Sequence, residues 1–223
     1  MLKLTADDHA KVSAAIAAAE AKSDGEIIAI TADQSDAYHD VGLHWAVLAM
    51  VAVLAFFAAM PQQLVQWHDR LQGWSAEPGH RELLTLLLFF ALLKFLAVLF
   101  LLKWRSLRMI LTPGSTKTRR VRRRAIMLFK AGAERRTIGR TGILIYLSMA
   151  EHRAEIVGDE AITKVTTPET WGEAMTALLT HVKAGRPGEG IVAAVEIIGD
   201  VLAEHFPKSG EDSNEIPDKL IEL

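Results

Sequence analysis

The stretch TADQSDAYHD, residues 31–40, sets Asp33, Asp36, His39 and Asp40 close together in the chain. Carboxylates and an imidazole at such spacing are the donors that a hard divalent cation accepts. The spacing fits no EF-hand loop, and Asp is equally at home in turns and at helix N-termini, so a solvated turn is the stronger reading. Asp159 and Glu160, in VGDEAI, form a second acidic pair that folding could carry to Asp33. His152 lies in the link MAEHR between Glu151 and Arg153, where a surface turn is a better reading than a catalytic base. GRPGEG at 185–190 is glycine-rich but has no Lys-Ser or Lys-Thr pair after it, which makes it a turn. There is no Walker loop, no GxSxG elbow and no HExxH helix. With no cysteine, thiolate nucleophiles, disulfides and Cys-based zinc sites are excluded.

The second chemical feature is the run KTRRVRRR, which holds Lys117, Arg119, Arg120, Arg122, Arg123 and Arg124. Closely spaced arginines neutralise phosphates, in nucleic acid or in lipid headgroups. The run follows a long apolar segment, and beside a bilayer each such charge is worth about 1 kcal/mol against anionic headgroups. Lipid contact is therefore favoured over a solvated face and over nucleic acid.

Two apolar runs must position these charges: VGLHWAVLAMVAVLAFFAAM at 41–60 and LLTLLLFFALLKFLAVLFLL at 83–102. Each offers about the 20 apolar positions that a helix needs to cross a hydrocarbon core of about 30 Å, more than a buried core helix usually has. The loop between them carries only Arg70 and Arg81, whereas Lys103, Arg105, Arg108 and the arginine run follow the second segment. Positively charged loops resist translocation, so both termini are expected in the cytoplasm and the short loop outside. Trp45 and Trp104 fall near the cytoplasmic ends and Trp67 and Trp74 in the outer loop, where indole rings favour the headgroup region. The first twenty residues are acidic and alanine-rich and lack a secretory h-region, in keeping with an internal N-terminus. Lys94, inside the second run, is expected to snorkel to the headgroups, the other reading being contact with a partner helix or an anionic lipid.

Around this hairpin the remaining residues, half of them on average apolar across the chain, suffice for one domain. Thr5 and Asp8 form a capping-box pattern ahead of Val12, Ile16 and Ala19, which predicts a helix. EIIAITA at 26–32 reads as a buried strand. After the exit TPGSTKTRR, the stretch VRRRAIMLFKAGAERR reads as a helix with Ile126, Phe129 and Ala133 on one side. GILIYLS is continuously apolar, as a strand covered on both faces would be, and RAEIVGDE alternates, as a strand nearer an edge would. Thr166, Thr167 and Pro168 announce a helix with Trp171, Ala174, Met175, Leu178, Leu179 and Val182. A last helix carries Ile191, Val195, Ile198, Leu202 and Phe206 and stops at Pro207. The expected fold is α/β: a three-layer sandwich with a small mixed sheet, formed by residues 1–40 and 113–223 and interrupted by a two-helix transmembrane hairpin with its basic segment at 41–112.

The run TGILIYLSMAEHRAEIVGDEAI, the following TPETWGEAMTALLTHVKAGRPGEGIVAAVEIIGDVLAEHFP and the ending NEIPDKLIEL together resemble the TPM domain, in its bacterial membrane-protein branch with an inserted transmembrane pair. The resemblance is weak over residues 1–36 and good over 118–223. It implies an α/β sandwich in a bacterial inner membrane. Some family members are described as acid phosphatases, some bind calcium through acidic loops, and others are accessory partners of membrane complexes. Those better-known members face a lumen or the cell exterior, whereas the charge pattern here puts the domain in the cytoplasm. The expectation is a binding or regulatory module with a protein or membrane partner, with a metal-assisted phosphatase using Asp33, Asp36, Asp40 and Asp159 as the alternative.

Overall fold

Helix α1 (Ala6–Glu20) starts where Thr5 and Asp8 predict: the Thr5 hydroxyl accepts from the Asp8 N–H while the Asp8 carboxylate accepts from the Thr5 N–H, 3.1 and 2.8 Å. Val12, Ile16 and Ala19 face inward. Strand β1 (Glu26–Ala32) follows and is buried along its whole length. These elements belong to a computed structural model that describes residues 4–72, 78–132, 141–209 and 218–223. Trp74, Ala133 and the first four residues of NEIPDKLIEL lie outside the described residues.

The chain divides into two units, residues 1–36 with 114–223, and residues 37–113. In the second unit, α2 (His39–Ala59) and α4 (His80–Leu101) take up the two apolar runs and pack on each other. Phe57 and Phe90 stack across them at 5.6 Å between ring centroids. Only 22% and 6% of their apolar windows are buried. Core helices of a soluble protein bury such a face, so this exposure is the property that distinguishes them. Two further helices were not anticipated. The connecting loop contains the amphipathic α3 (Pro61–Gln72), and α5 (Arg105–Leu111) follows α4. Lys94 is exposed on α4.

The first unit resumes with α6 (Gly114–Gly132), which carries the arginine run. Strand β2 (Gly142–Ser148) pairs in parallel with β1 from Glu26↔Gly142 to Ala32↔Ser148, and β3 (Arg153–Gly158) pairs antiparallel with β2. As the pattern of apolar residues predicts, β2 is wholly buried and β3 only partly. The short α7 (Glu160–Val165), not anticipated from the sequence, comes next. After a 3₁₀ turn at Pro168–Trp171 come α8 (Gly172–Lys183) and α9 (Pro187–His205). A two-residue β4 (Ile221–Glu222), unpredicted in the tail, adds in parallel to β1 and completes a sheet of order β3-β2-β1-β4.

This is a mixed sheet between two helical layers, an α/β fold. On one face Ile27, Ala29, Ile143, Ile145 and Leu147 meet α1, α8 and α9. On the other, Ile28, Ile30, Leu144 and Tyr146 meet Val121, Ala125 and Phe129 of α6. The alternation along β1 and β2 feeds both cores, which is why neither strand tolerates a polar face. Gly199 lets α9 approach α1 closely: a Cβ there would stand 2.6 Å from that of Ala19.

Candidate functional site

The parallel pairing of β1 and β2 brings two C-terminal strand ends together, the position at which open α/β sheets commonly bind ligands. Asp33 and Ser35 leave β1 here, and Ser148 ends β2. The backbone of Asp33 is used on both sides: its N–H donates to Leu223 O and its carbonyl accepts from the Ala150 N–H. Ser35 is the hub. Its N–H donates to Glu151 Oε1 at 3.0 Å and its hydroxyl lies 3.0 Å from the Tyr146 hydroxyl, while Ser148 Oγ donates to Glu151 Oε2. Tyr146, Ser148 and Glu151 are buried. One residue on, Asp36 pairs with Arg120 of α6 at 2.8 Å. Burial pushes the Tyr146 phenol above its ordinary value and nearby Glu151 adds to this, against the Ser35 hydrogen bond and the Arg124 charge.

This cluster fastens the chain segment between β1 and α2 onto the β2–β3 link and onto α6. Its carboxylates are already engaged, by a backbone N–H and a hydroxyl at Glu151 and by a guanidinium at Asp36. Sequence reasoning singled out Asp36 but missed Ser35, Tyr146, Ser148 and Glu151. One signal was available, a tyrosine inside an otherwise apolar central strand, since a buried phenol needs a hydrogen-bond partner.

The four carboxylates expected to hold a cation are not gathered at one place. Because β3 runs antiparallel, it carries the chain back to the start of β2, where Gly158 faces Ile143 and the Asp159 N–H donates to Gly142 O. Asp33 is at the other end of the same strands, about 20 Å away at 3.3 Å per residue. The expected approach of Asp159 to Asp33 is thus corrected by strand direction. Asp159 instead caps α7, accepting from the Glu160 N–H at 2.7 Å. Asp40 lies in the first turn of α2, in the other unit. Among the described residues no group of three or more His, Asp or Glu side chains forms a metal cage. The residues do not fit a shared divalent cation, and no step is routed through one. His152 is exposed in the β2–β3 link with φ of 50°, a left-handed turn conformation.

The arginine run divides by helical geometry. Val121, Ala125 and Phe129 face the sheet. Lys117, Arg120 and Arg124 are half-buried on one flank, and Arg119, Arg122 and Arg123 are exposed. Burial raises the Glu155 carboxyl of β3, while Arg122 and Arg153 pull it back. Met127, 50% exposed, and Lys130 extend the outward side.

An unexpected buried acid sits at the opposite edge. Glu20 of α1 is 7% exposed, and its Oε1 accepts from the Ile27 N–H at 2.8 Å. Burial lifts its carboxyl to about 8, helped by the nearby negative charges of Glu26 and Asp218. It is therefore protonated at neutral pH.

Comparison with known proteins places this architecture. Part of the chain is similar to the TPM domain. The family matches residues 107–201, from within α5 to within α9. The TPM match therefore contains α6, the β2–β3 hairpin, α7 and α8, and leaves out α1, β1 and the apolar pair. The NMR structure of BA42 protein from the psychrophilic bacterium Bizionia argentinensis is similar in fold, with a TM-score of 0.56 and 18% identity over 99% of this chain and 95% of that one. No curated protein matches the chain.

Proposed function

We propose that this chain is a two-pass bacterial inner-membrane protein whose cytoplasmic α/β unit binds or regulates a protein or membrane partner. One observation carries the reading: two helices of mean hydropathy 2.2 and 2.7, largely exposed, are inserted between β1 and α6 of one folded unit. Exposed apolar area on that scale is stable in lipid and a liability in water. The lysine and arginine excess after α4 supports placing that side in the cytoplasm. The outward side of α6, with Arg119, Arg122 and Arg123, is the surface for anionic headgroups or an acidic partner. The segment held by Ser35, Tyr146 and Glu151 directly precedes α2 in the chain.

Cross-linking in intact membranes, followed by identification of the attached species, tests the binding role. A reproducible adduct lost in Arg119→Glu/Arg123→Glu supports it. A phosphatase is the contrary outcome: if purified protein in detergent hydrolyses para-nitrophenyl phosphate with calcium or magnesium, and Asp33→Ala abolishes this, the binding reading fails.

A further inference from the structure

The two edges of the sheet differ. At one, β4 pairs with β1; at the other, among the described residues, β3 pairs with β2 alone. The Asp159 N–H donates to Gly142 O, so by alternation residues 153, 155 and 157 also turn their backbone groups toward β2. Ala154, Ile156 and Gly158 therefore direct their N–H and C=O groups outward, as a template for a further strand. No β3 residue is buried, whereas every residue of β1 and β2 is. The register runs from Ile143↔Gly158 to Ser148↔Arg153 without a bulge or a proline, two devices that commonly blunt an edge.

Helix α6 roofs this edge on one face of the sheet. Val121, Ala125 and Phe129 face the sheet, and one residue round the helix lies the flank of Arg122, Ile126 and Lys130. There a cleft of about 290 Å³ is lined by Ile126, Phe129 and Lys130 on one side and Val157 and Gly158 on the other. The charge of Arg122 reaches Glu155, which sets the upper part of the flank beside the same strand. Arg122 and Lys130 are exposed. The two acids at the cleft are engaged, Asp159 by the Glu160 N–H and Glu160 by Lys164 at 2.9 Å. Arg122, Ile126 and Lys130 recur every four residues, about 6 Å along the helix. Alternate side chains of a strand recur at about 6.8 Å, so the two rows match.

We propose that β3 accepts an extended segment of another protein as an added strand, with an apolar residue between two acidic ones at alternate positions. The acids lie under Arg122 and Lys130 and the apolar side chain under Ile126. Backbone pairing with Ala154, Ile156 and Gly158 supplies affinity, and the roof selects the sequence. A second copy of this chain fits less well, because a two-fold axis between paired β3 strands brings the cationic flanks of two α6 helices to one face. A lipid headgroup engages the charges but leaves the backbone row unused. The proposal rests on the reading of the α/β unit as a binding module.

Fluorescence anisotropy of the full chain in neutral detergent reads the binding of a fluorescein-labelled peptide, SETVTES. Binding is expected, weakened by about tenfold or more in Arg122→Glu/Lys130→Glu and with the peptide SKTVTKS. Methylating the three central amide nitrogens of SETVTES keeps its charges and should abolish binding. Ala154→Pro removes one outward N–H without touching the β2 ladder and should weaken binding by about tenfold. Equal binding of the methylated peptide would reduce the site to a charged surface and overturn the proposal. Retention of phosphatidylglycerol but not of the peptide, or self-association in sedimentation that Ala154→Pro abolishes, would assign the flank to a lipid or to a second copy and overturn it too. In the cross-linking of intact membranes, a protein adduct that survives Ala154→Pro refutes only the added strand, whereas the absence of any adduct refutes the binding role.

Discussion

At the scale of single residues, the polar groups at the end of β1 act as fasteners, and their strengths differ with burial. Tyr146→Phe removes the hydroxyl partner of Ser35 in a buried position and should cost about 1 kcal/mol, read as a lower midpoint in chemical denaturation. Arg120→Ala breaks a partly exposed ion pair with Asp36 and should cost less, within about 1 kcal/mol. Glu20 gives the pH dependence. Its carboxyl titrates near 8 in the fold and near 4.5 unfolded, so between these values the folded state holds the extra proton. Stability from this group is complete below about pH 4.5 and falls as pH rises through 8. Glu20→Gln should remove that slope, leaving stability similar at pH 5 and raising it at pH 8 by about 2 kcal/mol or more, measured by thermal melts at both pH values. None of these partnerships was legible in the sequence: Ser35 and Tyr146 are 111 positions apart, and only the pairing of β1 with β2 makes them neighbours.

At the scale of elements, the legible parts were those whose signal is local. The capping box of α1, the uninterrupted apolar run of β2 and the alternation of β3 each report on their own surroundings, and all three elements form as the patterns predict. β4 was not legible because two residues in a polar tail carry no period, and they form a strand only because the edge of β1 is there to pair with. The amphipathic α3 was passed over as loop between two stronger signals. Asp159 was misplaced for a further reason: periodicity gives a strand's faces but not its direction, and direction decides at which end of the sheet a residue emerges. The contact of α1 with α9 makes an element-scale prediction. Gly199→Ala, favourable for an isolated helix, should destabilise the fold by about 1–3 kcal/mol because its methyl would press on Ala19. A stabilised variant in denaturant titration would show that the helices separate freely.

At the scale of the molecule, one sheet is built from sequence on both sides of an apolar insertion. β1 and β2 are separated by more than 100 residues, yet pair along seven positions. The folded unit therefore contains everything needed to close its two cores without the hairpin. The Asp36 carboxylate touches Arg120, and α6 rises about 1.5 Å per residue back to Gly114, so joining residue 36 to residue 114 needs about 6–8 Gly/Ser residues. Such a chain should be soluble and unfold cooperatively by circular dichroism. It should also bind anionic vesicles more tightly than neutral ones, with Arg119→Glu/Arg123→Glu reducing that binding by about tenfold or more.

The central claim concerns which side of a bilayer each unit occupies, and the absence of cysteine allows it to be read directly. Single substitutions Gln66→Cys on α3 and Glu173→Cys on α8, both at exposed positions, would be treated in intact spheroplasts with a membrane-impermeant maleimide. The account predicts labelling of Gln66→Cys in intact spheroplasts and of Glu173→Cys only after lysis. Labelling of Glu173→Cys before lysis, or recovery of the chain in the soluble fraction, would contradict it.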